Sequence, residues 1–225
     1  MEELQKIVNT FQQTQVQPNV SLEPQLCSLI SLAVLTTLGS SCSLKQQVED
    51  ALEQGVTAEQ MVEAVMQTTP YVGYPRVMDA LQLVEEVLRQ KGIELPQSQS
   101  TVQPDTRLQK GLEAQYAIFG RQTIDHNRST APEELKHIQD ALSAYCFGDF
   151  YTRDTLELST RELLTFCTLC ALGGCESQLK AHIAGNLQVG NRRPVLIDAV
   201  TWCMPMIGFP RTLNAIAAIN EIAKE

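Results

Sequence analysis

Shifting the chain by 135 residues lays Gly55 on Gly190, and the neighbours fall into step without a gap. Leu44-Lys45 meets Leu179-Lys180, Ala64-Val65 meets Ala199-Val200, and Pro70 meets Pro205. Gly73 meets Gly208, Pro75-Arg76 meets Pro210-Arg211, and aromatic Tyr74 meets aromatic Phe209. Glycines and prolines kept in register over such a length mark an internal duplication. The fold therefore has to be built twice.

Each copy reads as helices. Thr57-Ala58-Glu59-Gln60 and Ser159-Thr160-Arg161-Glu162 fit the capping-box pattern, and Thr130 to Glu133 reads the same way with Pro132 in a first turn. Apolar residues then recur at helical spacing, as at Met61, Val62, Val65 and Met66 or at Leu196, Ile197 and Val200. No segment alternates like a strand, so the expectation is an all-α protein. The polar stretch 92–106, with two prolines and no periodicity, reads as a linker between a first unit over 1–91 and a second over 107–225. The second unit is the fuller one. In the first, a shorter Gln-rich segment around residues 12–21 stands in for its N-terminal part.

Composition removes several function classes. A formal charge of −9 argues against nucleic acid or an anionic membrane as partner. No apolar run approaches the ~20 residues of a membrane span, and the start MEELQKIVNTF is amphipathic rather than signal-like. The seven cysteines are odd in number and scattered through helical pattern, which suits buried thiols in a reducing, cytoplasmic setting. The cysteines and three histidines never cluster at ligand intervals, so no metal is expected.

Four stretches carry a resemblance. Leu158 to Thr165 matches a Leu-x-x-Arg-x-Leu-Leu-Thr run, and Gln178-Leu179-Lys180-Ala181-His182 stands where the pattern has Glu-Leu-x-x-His. Met206-Ile207-Gly208-Phe209-Pro210 corresponds to a Tyr-Ala-Gly-x-Pro turn, and Phe147 to Arg153 to Trp-Gly-x-x-Trp-x-Arg. Together they resemble the carboxymuconolactone decarboxylase family, related to the alkylhydroperoxidase-type helical enzymes. The resemblance covers the chain as two tandem units, the first shortened. It implies an all-helical unit, a small carboxylated lactone or organic acid as substrate, no cofactor, and a homo-oligomer such as a trimer of two-unit chains.

Decarboxylation needs a cation for the anionic substrate, donors near the developing oxyanion, and a general acid. On the resemblance, His182 is the proton donor and Arg153 grips a carboxylate through its planar fork. Cys175, Tyr151, Gln178 and Trp202 complete the candidate pocket. Gln178, at i and i+4 with His182, can orient the imidazole by a hydrogen bond but supplies no charge. Glu162 fits the acidic position of the peroxidase-type relatives, yet also the reach-back position of a capping box. Trp202 also fits a helix core, and Arg153 a surface ion pair. In the first copy the histidine position is Gln47, so that copy reads as structural.

The thiol chemistry of the peroxidase-type relatives needs Cys-x-x-Cys-x-x-x-His. Here Cys175 stands at the first cysteine and Gln178 at the second. A helix N-terminus lowers a thiol pKa, which keeps a residual Cys175 peroxidase open. Cys167 and Cys170, mid-helix among apolar residues, read as core. His126 and His137 read as solvent-facing. Three functions stay open: a cofactor-free decarboxylase, a non-catalytic helical assembly, and a thiol peroxidase.

Overall fold

A computed structural model describes residues 1–96 and 100–224. The architecture is all-α, with no strand among the described residues. The first unit runs α1 (Glu2–Phe11), α2 (Pro24–Leu38), α3 (Ser41–Glu53), α4 (Ala58–Gln67), a single turn α5 (Thr69–Val72) and α6 (Tyr74–Gln90). The second adds α7 (Arg107–Phe119) and α8 (Arg121–Ser129), then runs α9 (Lys136–Ala141), α10 (Leu158–Leu172), α11 (Glu176–Gln188) and α12 (Arg193–Ile222).

The register of the sequence survives in the helices. α3 and α11 have the same length, and their starts, Ser41 and Glu176, are 135 residues apart. Two π-helical stretches follow α1 and α9, and they end at Val16 and Tyr151, again 135 apart. The Gln-rich segment is thus no shortened substitute: residues 12–16 are the counterpart of 147–151. What the first unit lacks is any counterpart of α7 and α8. The duplicated Gly73 and Gly208 have φ of 86° and 76°, a conformation that side chains resist. Each breaks a helix before the Pro-Arg of the next, and in α12 the break falls inside an otherwise continuous rod.

α2 and α10 form the centre. Each buries eleven of its residues, and they pack against each other in one core that draws on both units. Cys167 and Cys170 belong to it, their thiols pushed well above the ordinary value by burial. His126 and His137 are exposed. The stretch 92–106 is partly tied down: Val102 is buried, and the hydroxyls of Thr101 and Thr152 meet at 2.6 Å. Its residues 97–99 lie outside the described residues.

One capping box forms as read. Thr57 Oγ1 accepts from the Gln60 amide and Gln60 Oε1 accepts from the Thr57 amide. The other two do not form. α10 begins at Leu158 with Glu157 at its N-cap, so Glu162 lies past the first turn and points inward. Thr130 closes α8, its hydroxyl donating to the His126 carbonyl.

α7 reaches the π-helical stretch Leu142–Tyr151 by glycine contacts. A Cβ on Gly111 would lie 1.8 Å from the Ser143 carbonyl oxygen, and one on Gly148 would lie 2.2 Å from that of Arg107. Backbone atoms cannot yield as a flexible side chain does. Gly111→Ala is therefore expected to cost about 3 kcal/mol, the upper end for overpacking. In a chain of this size that lowers the thermal midpoint by roughly 10 °C, to be checked by a circular dichroism melt. An unchanged midpoint would show that α7 can lift away freely.

Candidate active site

Glu162 sits in the second turn of α10, fully buried. Its carboxylate oxygens lie 2.9 and 3.1 Å from Nδ1 of His182, two turns into α11. An ionised carboxylate only accepts, so Nδ1–H donates and Nε2 is the nitrogen left for a molecule outside. The crossing is set by small and amide residues. A Cβ on Gly185 would come within 2.9 Å of Glu162 Oε2, so its absence makes room for the carboxylate. Asn186, fully buried, donates to the backbone carbonyls of Glu162 and His182 at 3.0 and 2.7 Å, and Asn191 donates to Asn186 Oδ1 at 2.8 Å.

The imidazole is held edge-on between two rings. Phe119 lies 5.3 Å away and Tyr71 5.9 Å away, centroid to centroid. His182 opens on a cavity of about 400 Å³, whose wall includes Tyr71, Phe119, Arg128, Cys146, Phe147 and Gln178. Arg128 reaches it from α8 and is fixed there by two partners. It donates to Ser143 Oγ at 3.2 Å and pairs with Asp140; Ser143 in turn donates to the buried Gln115 at 2.6 Å. The cavity thus joins one imidazole backed by a carboxylate, one guanidinium, the rings of Tyr71, Phe119 and Phe147, and polar side chains such as Gln115, Gln139 and Gln178.

Tyr71 comes from the first unit. Its hydroxyl meets that of Tyr151 at 2.8 Å, and Tyr151 meets Thr165 Oγ1 at 2.6 Å. Burial, then the Cys146 thiol and the Glu162 carboxylate, hold the Tyr71 phenol well above its ordinary value. Burial, then Glu162, does the same for Tyr151. Cys146 is pushed up to about 12, chiefly by burial.

Of the residues singled out from the sequence, the structure brings together His182, Glu162 and Gln178, with Tyr151 one hydrogen bond behind the wall. It does not bring Arg153, Cys175 or Trp202. The orienting partner of the imidazole is Glu162 rather than Gln178. Arg153, expected to grip a substrate, is a buried structural cation: its Nε donates to both oxygens of Glu63 at 2.8 and 3.0 Å. Cys175 stands at the N-cap position of α11, its thiol donating to the Leu169 carbonyl, in a small crevice of its own beside Gly173, Gly174 and Arg211. Its thiol is raised rather than lowered, first by burial and then by Glu176. Trp202 donates its indole N–H to Ser31 Oγ at 2.9 Å and lines a second cavity of about 490 Å³. That cavity sits where the register places the first copy's site, with Gln47 for His182 and Cys27 for Glu162.

Arg128, Phe119 and Tyr71 escaped the sequence reading. For Tyr71 a signal existed: the register lays it on Met206, so Tyr71-Val72-Gly73-Tyr74-Pro75 keeps the tyrosine that the second copy's turn has lost. Arg128 lies in polar helix α8, where nothing local separates it from a surface arginine. Among the described residues, no group of three His, Cys, Asp or Glu is placed to hold a metal ion.

The raised Cys175 thiol fixes its reactivity. With iodoacetamide at pH 7, exposed Cys42 should label first and Cys175 at least about tenfold more slowly, its rate still rising toward alkaline pH. Peptide mapping by mass spectrometry reads both. Rapid, selective labelling of Cys175 would overturn the assignment of an inert thiol.

The profile of the carboxymuconolactone decarboxylase family matches residues 2–86 and again 136–221, one stretch in each unit. The 4-carboxymuconolactone decarboxylase of Acinetobacter baylyi is 27% identical over 121 residues, which cover 54% of this chain and 90% of that protein. With most of its length matched in two successive copies, the chain belongs to the carboxymuconolactone decarboxylase family.

Proposed function

We propose that the cavity beside His182 removes a carboxylate, as CO2, from a small lactone acid of the 4-carboxymuconolactone kind, with no cofactor. The observation that carries this is the buried Glu162–His182 pair at 2.9 Å, which commits Nδ1 and leaves Nε2 for the cavity that Arg128 also lines. The relative in Acinetobacter baylyi, a 4-carboxymuconolactone decarboxylase, supports the choice of substrate.

Arg128 holds the anionic substrate. As the carbon–carboxylate bond breaks, its electron pair passes into the unsaturated lactone and onto the carbonyl oxygen, and CO2 leaves. Nε2–H of His182 then gives a proton to carbon, and water restores it. Net, one carboxylate and one proton become one C–H bond and one CO2. Glu162 steadies the charged imidazolium and fixes the ring, as an acidic residue does behind a catalytic histidine. Phe119, Phe147 and Tyr71 give the cavity an apolar side on which CO2 can form.

No helix among the described residues is long and apolar enough to cross a membrane, and a cytoplasmic location fits a chain with its thiols reduced. A homo-oligomer fits the exposed apolar face of α1, where Leu4, Ile7 and Val8 are 66, 60 and 42% exposed.

The test is turnover of 4-carboxymuconolactone, followed by loss of its ultraviolet absorbance, in the wild type and in His182→Ala. Loss of the general acid should lower kcat by about 10²–10⁴-fold. Glu162→Gln, which keeps the hydrogen-bonding shape without the charge, should fall in between. No turnover by the wild type sinks the decarboxylase reading. Equal rates in wild type and His182→Ala sink the proton donor.

A further inference from the structure

Behind the cavity wall runs a chain of hydrogen bonds whose direction is set at its far end. Arg161, fully buried, donates from Nη1 to Gln67 Oε1 at 2.9 Å. A guanidinium has nothing but donors, so the atom facing it is the amide oxygen and the amide nitrogen faces the other way. That nitrogen donates to Thr165 Oγ1 at 3.3 Å. Thr165 is fully buried, and its own O–H needs an acceptor, which the Tyr151 oxygen supplies at 2.6 Å. Tyr151 must then donate to Tyr71 at 2.8 Å. The Cys146 thiol lies 3.7 Å from the Tyr71 oxygen.

Reversing the chain would leave the Thr165 proton buried without an acceptor, a cost comparable to a lost hydrogen bond. With the chain running this way, Tyr71 receives at its oxygen from Tyr151. Its own O–H is then the last donor of the chain, and the Cys146 sulfur at 3.7 Å, a weak acceptor, is a poor partner for it beside a charged oxygen in the cavity. Tyr71 and Cys146 both line the cavity.

We propose that Tyr71, carried by the first unit, donates a hydrogen bond to the enolate oxygen that develops on the lactone during decarboxylation at the second unit's His182. Gln67 and Thr165 are the positioning residues that keep its proton turned outward. The phenol stays protonated, since burial and the neighbouring Cys146 and Glu162 hold it well above the usual tyrosine range. It therefore serves as a hydrogen-bond donor and leaves the proton transfer to His182. The site needs both halves of the chain, which gives the degenerate first copy a chemical role. This assignment rests on the cavity's being a lactone-acid site.

Tetronate, the stable anionic enolate of a five-membered lactone, probes the oxyanion contact without turnover. Its binding to the full chain, by calorimetry, should weaken about 10- to 100-fold in Tyr71→Phe, as expected for a hydrogen bond to a charged oxygen. Thr165→Val, which frees the chain's direction, should weaken it by a smaller factor, while Thr165→Ser, which keeps the hydroxyl, should bind like the wild type. In the double variant Tyr71→Phe/Thr165→Val no further loss is expected, because Thr165 acts through Tyr71. Equal affinity in wild type and Tyr71→Phe overturns the proposal, and so does a wild type that does not bind tetronate. If Tyr71→Phe fails to fold, the Thr165→Val and Thr165→Ser pair decides, equal affinities overturning it. Lactone turnover is scored separately: tetronate binding that depends on Tyr71, in a protein without turnover, keeps the oxyanion contact and removes only the decarboxylase reading.

Discussion

The structure hangs on Glu63. Its carboxylate, on α4 of the first unit, accepts from Arg161 at 2.9 Å and from Arg153 at 2.8 Å, and both arginines belong to the second unit. Arg161 also ties itself to the Arg153 carbonyl, at 2.9 Å from Nη2. Taking such charges from water costs several kcal/mol per ion, and only close pairing offsets it. Burial pulls the Arg161 guanidinium down from its ordinary value, and Glu63 opposes that pull. Removal of one partner from such a cluster typically costs about 3–5 kcal/mol, because the charge left behind stays buried. The cluster thus sets the registry between the units. Gln67 follows one turn after Glu63 and Tyr71 one turn after that, so fixing Glu63 against α10 also brings Tyr71 to His182.

Duplication allows the two halves of the chain to differ. In an assembly of identical single units every site must be the same, since one gene specifies each of them. Joining two units in one chain lifts that restriction, and the halves here have parted. The second copy keeps His182 and Glu162 where the first has Gln47 and Cys27, and the first keeps Tyr71 where the second has Met206. The thiol of Cys27, pushed up to about 12 chiefly by burial, cannot replace a carboxylate near neutral pH. α7 and α8 cover the His182 cavity with Phe119 and Arg128, and the first unit has no such roof.

The helices, the tandem register and the family could be read from the sequence because they are written in local periodicity and in Gly-Pro punctuation. Roles that depend on burial could not. Ser159 to Glu162 has the spacing of a capping box, but a four-residue pattern does not say which helix face lies inward. Glu162 went to the core, where a histidine from the next helix meets its charge. Arg153 looked available because its partner lies 90 residues earlier in the chain. For Cys175 the helix N-terminus favours the thiolate, while burial and Glu176 oppose it, and the opposing effects win. Local chemistry offered candidate residue types, and long-range packing decided which of them face the cavity.

The departure at residue 178 takes on a different meaning in this light. Read along one helix, a glutamine where the family has a glutamate looks like a lost partner for His182. Across helices, the imidazole already has a carboxylate from α10, and its position is locked by Gly185 and Asn186 rather than by its i−4 neighbour. Residue 178 is therefore released from orienting the histidine and is free to face the cavity, which it lines. A second carboxylate there would stand beside the space that an anionic substrate must enter, opposing the attraction of Arg128. A neutral amide keeps hydrogen-bonding capacity at that wall and adds no repulsion. Under the proposed function Gln178 would meet the substrate, while the Glu162–His182 pair stands without it.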